Sequence, residues 1–184
     1  MNRYARAWMR GQAIAWLVLG RRAPALRGFE RMLLRWPDDH HALASRAHLL
    51  MHIGRREDAL RDLSRLVQRH ADDAACHFNL GYALEQATQL EPALAAFERA
   101  VELDCRFDRA WYGLGLVLIQ LRRWDEAVVA LKRNTELQPM SPCGWYQLAR
   151  VHFERHDTAS ALAVVRHLQG FEPKVAAQLM REMR

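Results

Sequence analysis

The chain has 184 residues, about the length of one ordinary domain, and 51% of them are hydrophobic, enough to form a buried core. Charged residues make up 26%, and the nine glycines and six prolines form no flexible linker, which excludes a largely disordered protein. The net charge is +6, and the basic excess is concentrated in the N-terminal part of the chain, at positions 1–70.

The first helical segment contains an apolar run at residues 13–19, far shorter than the ~20 residues that a membrane-spanning helix needs. Arg3, Arg6 and Arg10 precede this run, as basic residues precede the core of a secretory signal. However, residues 20–22 read Gly-Arg-Arg in place of a small-residue cleavage pattern. We therefore expect this segment to belong to the mature structure, with no membrane span.

The three cysteines, Cys76, Cys105 and Cys143, are odd in number and widely spaced. None forms a Cys-x-x-Cys pair, which argues against both a disulfide framework and a zinc knuckle. The cysteines therefore favour a reducing compartment, and we expect a cytoplasmic location.

Apolar residues recur at helical spacing along the chain. Trp111, Leu114 and Leu118 mark the buried face of one helix, and Ala127 and Leu131 mark that of the next. Turn signals separate such paired helices, in chain order, at Gly20, Gly54, Thr88-Gln89, Arg122-Arg123 and Asp157. The sequence therefore predicts five successive helix–turn–helix hairpins.

The hairpin pattern repeats at a constant number of residues, equal to the separation of Gly81 and Gly115 in the sequence. Small residues recur at one position: Ala13, Ala47, Gly81, Gly115 and Ala149. A second position is alanine every time: Ala25, Ala59, Ala93, Ala127 and Ala161. One helical turn later the side chain is bulky and apolar: Phe29, Leu63, Phe97, Leu131 and Val165. Because helices approach closely only where side chains are small, these positions predict hairpins stacked in register.

The residues Trp111, Leu114 and Gly115, followed by Ala127 and Leu131, resemble the W-x2-L-G-x2-Y and A-x3-F pattern of the tetratricopeptide repeat (TPR) family. The resemblance implies an all-α fold, a right-handed α-α superhelix (TPR solenoid) of five helix-turn-helix repeats plus a C-terminal capping helix, in a single domain. The implied segments are the domain at residues 1–184, the repeats at 6–39, 40–73, 74–107, 108–141 and 142–175, and the capping helix at 176–184.

Some positions depart from the family pattern. Gln12 and Arg46 replace the usual leucine, and His77 and His152 stand where large apolar residues are normal. Asn134 is the one polar residue in a column that is otherwise apolar. The match otherwise runs over nearly the whole chain.

In this family the first helix of each hairpin lines a concave groove that binds partners. By resemblance, the groove residues here are Arg10, His48, Phe78, Asn79, Tyr82, Glu85, Arg109, Tyr112, Tyr146, Arg150 and Phe153. The same columns also contain Ile14, Met51, Leu116 and Ile119. Aromatic rings offer large apolar area at low entropy cost and polar groups orient a ligand, so we expect an extended or helical peptide to bind here. Alternatively, the rings pack between neighbouring helices.

One subset of the family grips the C-terminal carboxylate of heat-shock chaperones with lysine, asparagine and arginine side chains. Asn79 and Arg109 fall at matching positions of adjacent repeats. Ala44, His48 and Gly113 stand at the other three. Two matches of five are too few, and we do not expect such a clamp.

Three histidines, His41, His48 and His52, project toward the implied groove, and His48 and His52 have the i, i+4 spacing that can ligate zinc. Glu85 in the next repeat could complete such a site. Solvated or partner-facing histidines are commoner, so we expect no metal or other cofactor. The chain carries no phosphate-binding glycine loop or catalytic triad order, and we do not expect an enzyme.

Charge suggests an alternative function. Residues 1–70 carry 14 arginines and 6 acidic residues, a net charge of +8, which could attract nucleic acid. Many of these arginines fall at hairpin turns rather than in the implied groove, so nucleic acid is the less favoured partner. We expect a bacterial, cytoplasmic protein–protein interaction scaffold, adaptor or chaperone-like assembly factor. The alternative is a nucleic-acid-binding helical repeat protein that uses its basic N-terminal edge.

Overall fold

The computed structural model describes residues 2–183, which form helices joined by short turns. These are α1 (Asn2–Val18), α2 (Arg22–Arg35), α3 (His40–His52), α4 (Arg56–Arg69), α5 (Ala74–Gln86), α6 (Leu90–Leu103), α7 (Asp108–Gln120), α8 (Trp124–Leu137), α9 (Pro142–Glu154), α10 (Thr158–Gln169) and α11 (Pro173–Glu182). No strand occurs within residues 2–183, which confirms the predicted all-α class. None of these helices is long and apolar enough to cross a membrane.

The helix predicted at residues 176–184 corresponds to α11, which begins slightly earlier, at Pro173. Proline fits the first turn of a helix because no intrahelical partner awaits its missing N–H. Leu179 of this helix is fully buried. Arg184, the last residue of the predicted capping helix, and Met1, the first of the predicted domain, lie outside the described residues.

Residues 1–87 form one compact unit, here called unit 1, which contains α1 to α5. Each helix in it packs against the next along the chain. The core contains large, fully buried side chains from α2, α3 and α4: Phe29, Met32, Leu43, Leu50 and Leu66. Unit 1 therefore buries one apolar stripe from each of its hairpins.

Residues 88–184 form a second compact unit, here called unit 2, which contains α6 to α11. Successive helices again pack together, and α11 contacts both α9 and α10. The fully buried core includes Phe97, Leu131, Val165, Leu168 and Leu179. The end of the last hairpin is thus covered by α11.

Small residues set the distance between paired helices. A Cβ atom added at Gly115 of α7 would lie 2.7 Å from Cδ2 of Leu131 on α8, and Leu131 is completely buried. A Cβ at Gly113 would lie 2.6 Å from the ring of Phe97 on α6. The first contact explains why the small column is needed between paired helices, and the second shows that α7 also approaches a helix of the preceding hairpin closely, at a position outside that column.

The helices begin at side-chain caps where the sequence supplies an acid. Asp39 accepts a hydrogen bond from the Ala42 N–H, and Asp73 accepts one from the Ala75 N–H, each at 2.8 Å. A side-chain acceptor at this position satisfies an N–H that has no partner within the helix. Acidic residues between the hairpins therefore stabilise the first turns of α3 and α5.

Two departures from the family pattern are explained by partners within unit 1. Arg46 of α3 donates two hydrogen bonds to the buried Asp62 of α4, at 2.7 and 2.5 Å, and this interaction raises the pKa of the guanidinium. His77 lies 2.9 Å from the carbonyl oxygen of Ala71 through its Nε2. Each buried polar group therefore has a defined partner.

Two further departures are explained in the same way in unit 2. His152 Nδ1 lies 3.2 Å from a carboxylate oxygen of Asp157, and burial lowers the pKa of this histidine. Asn134 donates through Nδ2 to the carbonyl oxygen of Asp108 at 2.9 Å. The polar exceptions link the helix they lie on to a neighbouring turn or helix.

The turns inside the hairpins share one backbone conformation at the same repeat position. Residues with φ between 58° and 81° occur once in every hairpin, at Gly20, Gly54, Thr88, Arg122 and His156. This left-handed conformation costs a residue with a Cβ about 1–2 kcal/mol, and glycine nothing. The sequence located the turns correctly, and in the last hairpin the left-handed residue is His156, directly before the turn signal Asp157.

We predict that Gly115→Ala lowers the free energy of unfolding by about 1–3 kcal/mol, because the new methyl group would overpack the contact with Leu131. Gly11→Ala is the matched control, since nothing lies within 4 Å of a Cβ added there on α1. It should instead stabilise the protein, by about 0.5–1 kcal/mol from helix propensity. Urea denaturation measures both; equal effects would contradict the close approach.

We predict that Arg122→Gly is about 0.5–1 kcal/mol more stable than Arg122→Ala. Glycine removes the cost of the left-handed conformation, and its larger loss of chain entropy on folding offsets only part of that gain. Both variants remove the same guanidinium, so their difference isolates the backbone. The reverse change, Gly54→Ala, should destabilise by about 1 kcal/mol. Denaturation midpoints for the three variants test this, and a more stable Arg122→Ala would refute it.

Candidate functional site

The predicted binding residues of unit 1 lie on α1, α3 and α5. Ile14, His48 and Tyr82 occupy equivalent positions of successive repeats, and all three are exposed; Ile14 is 44% and Tyr82 50% exposed. Each directly follows a buried residue of the small column. Because the small residue packs closely against the neighbouring helix, the residue after it faces solvent. We call Ile14, His48 and Tyr82 the exposed column of unit 1.

Other predicted residues of unit 1 differ in exposure. Asn79 is exposed, Arg10 and Glu85 are half-buried, and Phe78 is only 8% exposed. Phe78 thus offers a partner almost no area, in agreement with the alternative that some rings serve packing. Its position one turn before Tyr82 gave no sign of this difference, because both residues share the helical spacing of the predicted groove.

Of the three histidines that the sequence grouped together, two contact each other in the structure. His48 and His52 face each other, with their Nε2 atoms 3.1 Å apart and their rings edge to face at 4.5 Å. Two such ring nitrogens share a hydrogen bond only where one donates and the other accepts. Partial burial and the nearby His52 and Arg22 lower the pKa of His48. His41 instead lies edge to face with His40, at 5.7 Å.

A different group in unit 1 brings potential metal ligands together. Among the described residues, the group of three or more His, Cys, Asp and Glu side chains with converging ligand atoms is His40, Asp73 and Cys76. Burial, and then the neighbouring carboxylate of Asp73, raise the pKa of the Cys76 thiol to about 12. The sequence gave no signal for this group, because Asp73 and Cys76 lie about one repeat away from His40 and follow no local motif.

In unit 2 the predicted residue Tyr146 already has an internal partner. Its hydroxyl donates to Glu182 of α11 at 2.6 Å, and Gln178 donates to the other carboxylate oxygen at 2.8 Å. The hydrogen bond between Tyr146 and Glu182 raises the pKa of the tyrosine and lowers that of the glutamate. The guanidinium of Arg150 lies 5.9 Å from the Tyr146 ring centre. Glu182 and Gln178 are thus part of this surface and were missed by the sequence analysis.

The remaining predicted residues of unit 2 differ in exposure. Tyr112 is half-buried on α7, and Arg109, one turn before it, is exposed. Phe153, on α9, is 36% exposed. The exposed members of the predicted set in unit 2 are therefore Arg109, Arg150 and Phe153.

The basic N-terminal edge is extensively paired with acidic side chains. The ion pairs join Arg6 to Asp39, Arg46 to Asp62, Arg55 and Arg61 to Asp58, and Arg65 and Arg69 to Asp38. Hydrogen bonds from Arg55 and Arg61 lower the pKa of Asp58. Four aspartates thus hold six of the fourteen arginines, and the net charge of +8 at positions 1–70 already includes these aspartates.

A cavity of about 350 Å³ in unit 2 lies at the hairpin turns rather than among the predicted binding residues. Its lining consists of Arg122, Arg123, Trp124, Asp125, Glu126 and Arg155. Ion pairs join Arg123 to Glu126 and Arg155 to Asp125 inside this group. The charged lining is thus already internally paired.

Comparison with solved structures identifies the same fold elsewhere. The protein is similar to MamA, with 21% identity, 94% of each chain covered and a TM-score of 0.85. It is similar to YrrB, described as a TPR protein with an unusual peptide-binding site, with 18% identity, 94% and 90% coverage and a TM-score of 0.80. A thermophilic TPR protein from Thermus thermophilus shares 25% identity, with 97% and 96% coverage and a TM-score of 0.67.

No curated protein sequence matches the chain significantly. A model of the tetratricopeptide repeat matches three overlapping segments, residues 45–106, 87–142 and 112–174. Together these segments span well over half of the chain and include all of α4 to α10. The chain therefore belongs to the tetratricopeptide repeat family.

Proposed function

We propose that the protein is a protein–protein interaction scaffold, not an enzyme, that binds a peptide segment of a partner on its first helices. The observation that carries this proposal is the exposed column of unit 1, Ile14, His48 and Tyr82. These side chains recur at one repeat position and remain exposed, although the residues just before them are buried. A regular row of exposed apolar and polar side chains suits an extended ligand.

The chemistry of the exposed column favours a peptide. Tyr82 offers half of its surface to solvent, and a tyrosine ring provides large contact area with few rotatable bonds. Asn79, exposed one turn away, can both donate to and accept from a peptide backbone. The ring of His48 can form a further hydrogen bond. Tyr82 is therefore the expected anchor, and the two polar side chains orient the ligand.

Unit 2 offers a smaller surface of the same kind. Phe153 is partly exposed, and the guanidinium of Arg150 lies one turn from it on α9. A peptide carrying an acidic residue beside an apolar one would match this pair. Tyr146 contributes indirectly, since its hydroxyl is bonded to Glu182 and its ring lies beside Arg150.

Relatives support a binding role. The solved structure of YrrB is described as having an unusual peptide-binding site, and this chain has the same fold. Stacked helical repeats in general bind partners on surfaces built from equivalent positions of successive repeats. An adaptor or chaperone-like assembly factor in the bacterial cytoplasm is the corresponding cellular role, and the three free thiols fit a reducing compartment.

Nucleic acid is the alternative partner, because the N-terminal part of the chain, positions 1–70, carries the net positive charge. The ion pairs of the N-terminal edge argue against it, since they already occupy arginines that would contact phosphates. A protein ligand on the exposed column does not depend on those arginines.

We predict that Tyr82→Ala weakens the binding of peptides selected on the wild-type protein from a displayed random library by about tenfold or more, as expected for an aromatic anchor. Leu34→Ala is the matched control, because Leu34 is a large exposed apolar residue on the second helix of a hairpin. It should leave the affinity unchanged. Fluorescence anisotropy with the labelled peptides measures both, and circular dichroism confirms that both variants fold.

The same experiment separates the two functions. Equal losses in Tyr82→Ala and Leu34→Ala, or none in either, would exclude the exposed column as the recognition site. A labelled single-stranded oligonucleotide serves as the second probe, at two salt concentrations. Oligonucleotide binding that falls steeply with salt and is unchanged by Tyr82→Ala would replace the scaffold proposal with the nucleic-acid alternative.

A further inference from the structure

Three side chains of different chemistry meet where the second hairpin joins the third in unit 1. His40 is the first residue of α3, Asp73 caps α5, and Cys76 lies in the first turn of α5. Cys76 is only 2% exposed, whereas His40 and Asp73 are partly exposed. The group is therefore anchored on the buried side and open to solvent on the other.

The distances place all three ligand atoms around one point. The His40 Nε2 atom lies 3.5 Å from the Cys76 Sγ atom and 3.6 Å from an oxygen of Asp73. All three ligand atoms lie within 4.8 Å of one another. Zinc bond lengths of about 2.3 Å to sulfur and about 2.0–2.2 Å to nitrogen and oxygen give tetrahedral edges of about 3.4–3.6 Å. The two separations measured from His40 match those edges.

The arrangement does not match a nucleophilic Cys–His–Asp relay. Such a relay needs the thiol and the carboxylate on opposite nitrogens of the imidazole, so that one ring nitrogen accepts while the other donates. Here the same atom, His40 Nε2, faces both partners. Three ligand atoms that converge in this way are arranged as they would be around one bound metal ion. In addition, the buried Cys76 thiol has little access to a substrate.

The junction between the first and second hairpins of unit 1 has an ion pair at the equivalent position but no group of metal ligands. Arg6 pairs with Asp39 at the same sequence separation that joins His40 to Asp73. The position equivalent to Cys76 is Ala42, which is buried and has no side-chain donor. Relative to that junction, arginine is replaced by histidine and alanine by cysteine. Both changes introduce metal-binding groups, and both occur around the same carboxylate.

We propose that His40, Asp73 and Cys76 bind a zinc ion, with water as the fourth ligand on the exposed side. Thiolate, imidazole and carboxylate are the three ligand types that zinc takes in proteins. On binding, the S–H bond of Cys76 is replaced by a Zn–S bond and the proton passes to solvent. The ring of His70 lies edge to face with that of His40, with the ring centres 4.8 Å apart.

Zinc would connect the start of α3 to the start of α5, two segments that are distant in sequence. Because binding to the folded state alone stabilises a protein by mass action, the metal should raise the unfolding temperature. The effect is separate from peptide binding, as none of the three ligands belongs to the exposed column. Success or failure here therefore leaves the scaffold proposal untouched.

The test uses the untagged full chain, first stripped with a chelator and then titrated with zinc chloride by calorimetry. Two variants copy the preceding junction: Cys76→Ala reproduces Ala42, and His40→Arg reproduces Arg6 and keeps an ion pair with Asp73. Even substitution of a group that only supports a metal ligand costs about 10–100-fold in metal affinity, so each variant should weaken zinc binding by at least that factor. Both should still fold, as circular dichroism will show.

Two control variants locate the metal. The doubly substituted His48→Ala/His52→Ala removes the other adjacent histidine pair, and Cys105→Ala/Cys143→Ala removes the exposed thiols. Both should bind zinc as tightly as the wild type. Cobalt(II) provides a direct readout, because a thiolate ligand adds a sulfur-to-metal charge-transfer band that Cys76→Ala must abolish. Zinc binding that is absent from the wild type, survives Cys76→Ala, or disappears in either control overturns the proposal.

Discussion

The structure depends on the close approach of helices at one small residue per hairpin. Where Gly115 meets Leu131, a single methyl group would lie within 2.7 Å of the buried leucine. Because the small column recurs once in every hairpin, it fixes both the distance between paired helices and the rotation of each helix about its axis. The rotation in turn decides which side chains are buried and which face solvent.

The proposed peptide surface and the proposed zinc site both follow from this register. Ile14 and Tyr82 are exposed because the residues before them occupy the small column. His40 and Asp73 meet because the starts of successive first helices lie side by side, as Arg6 and Asp39 do one repeat earlier. One repeating geometry thus supplies equivalent positions, and the side chains placed there decide what each position can bind.

Local features could be predicted from the sequence, while contacts between distant segments could not. Periodicity and turn residues gave the hairpins and the turns within them. The burial of Phe78 was missed because neighbouring helical positions carry the same pattern. The bond between Tyr146 and Glu182 and the meeting of His40 with Cys76 join residues 36 positions apart. No spacing rule within one helix reports such contacts.

The five left-handed turns have a consequence for how such a chain can change over evolutionary time. Gly20 and Gly54 retain glycine, whereas Arg122 and His156 adopt the same conformation with a side chain. In a repeat protein, stability is summed over many units, so a cost of about 1–2 kcal/mol in one turn can be offset by the others. Selection removes only substitutions that cross the stability threshold. The turns can therefore drift in sequence while the spacing between them is conserved.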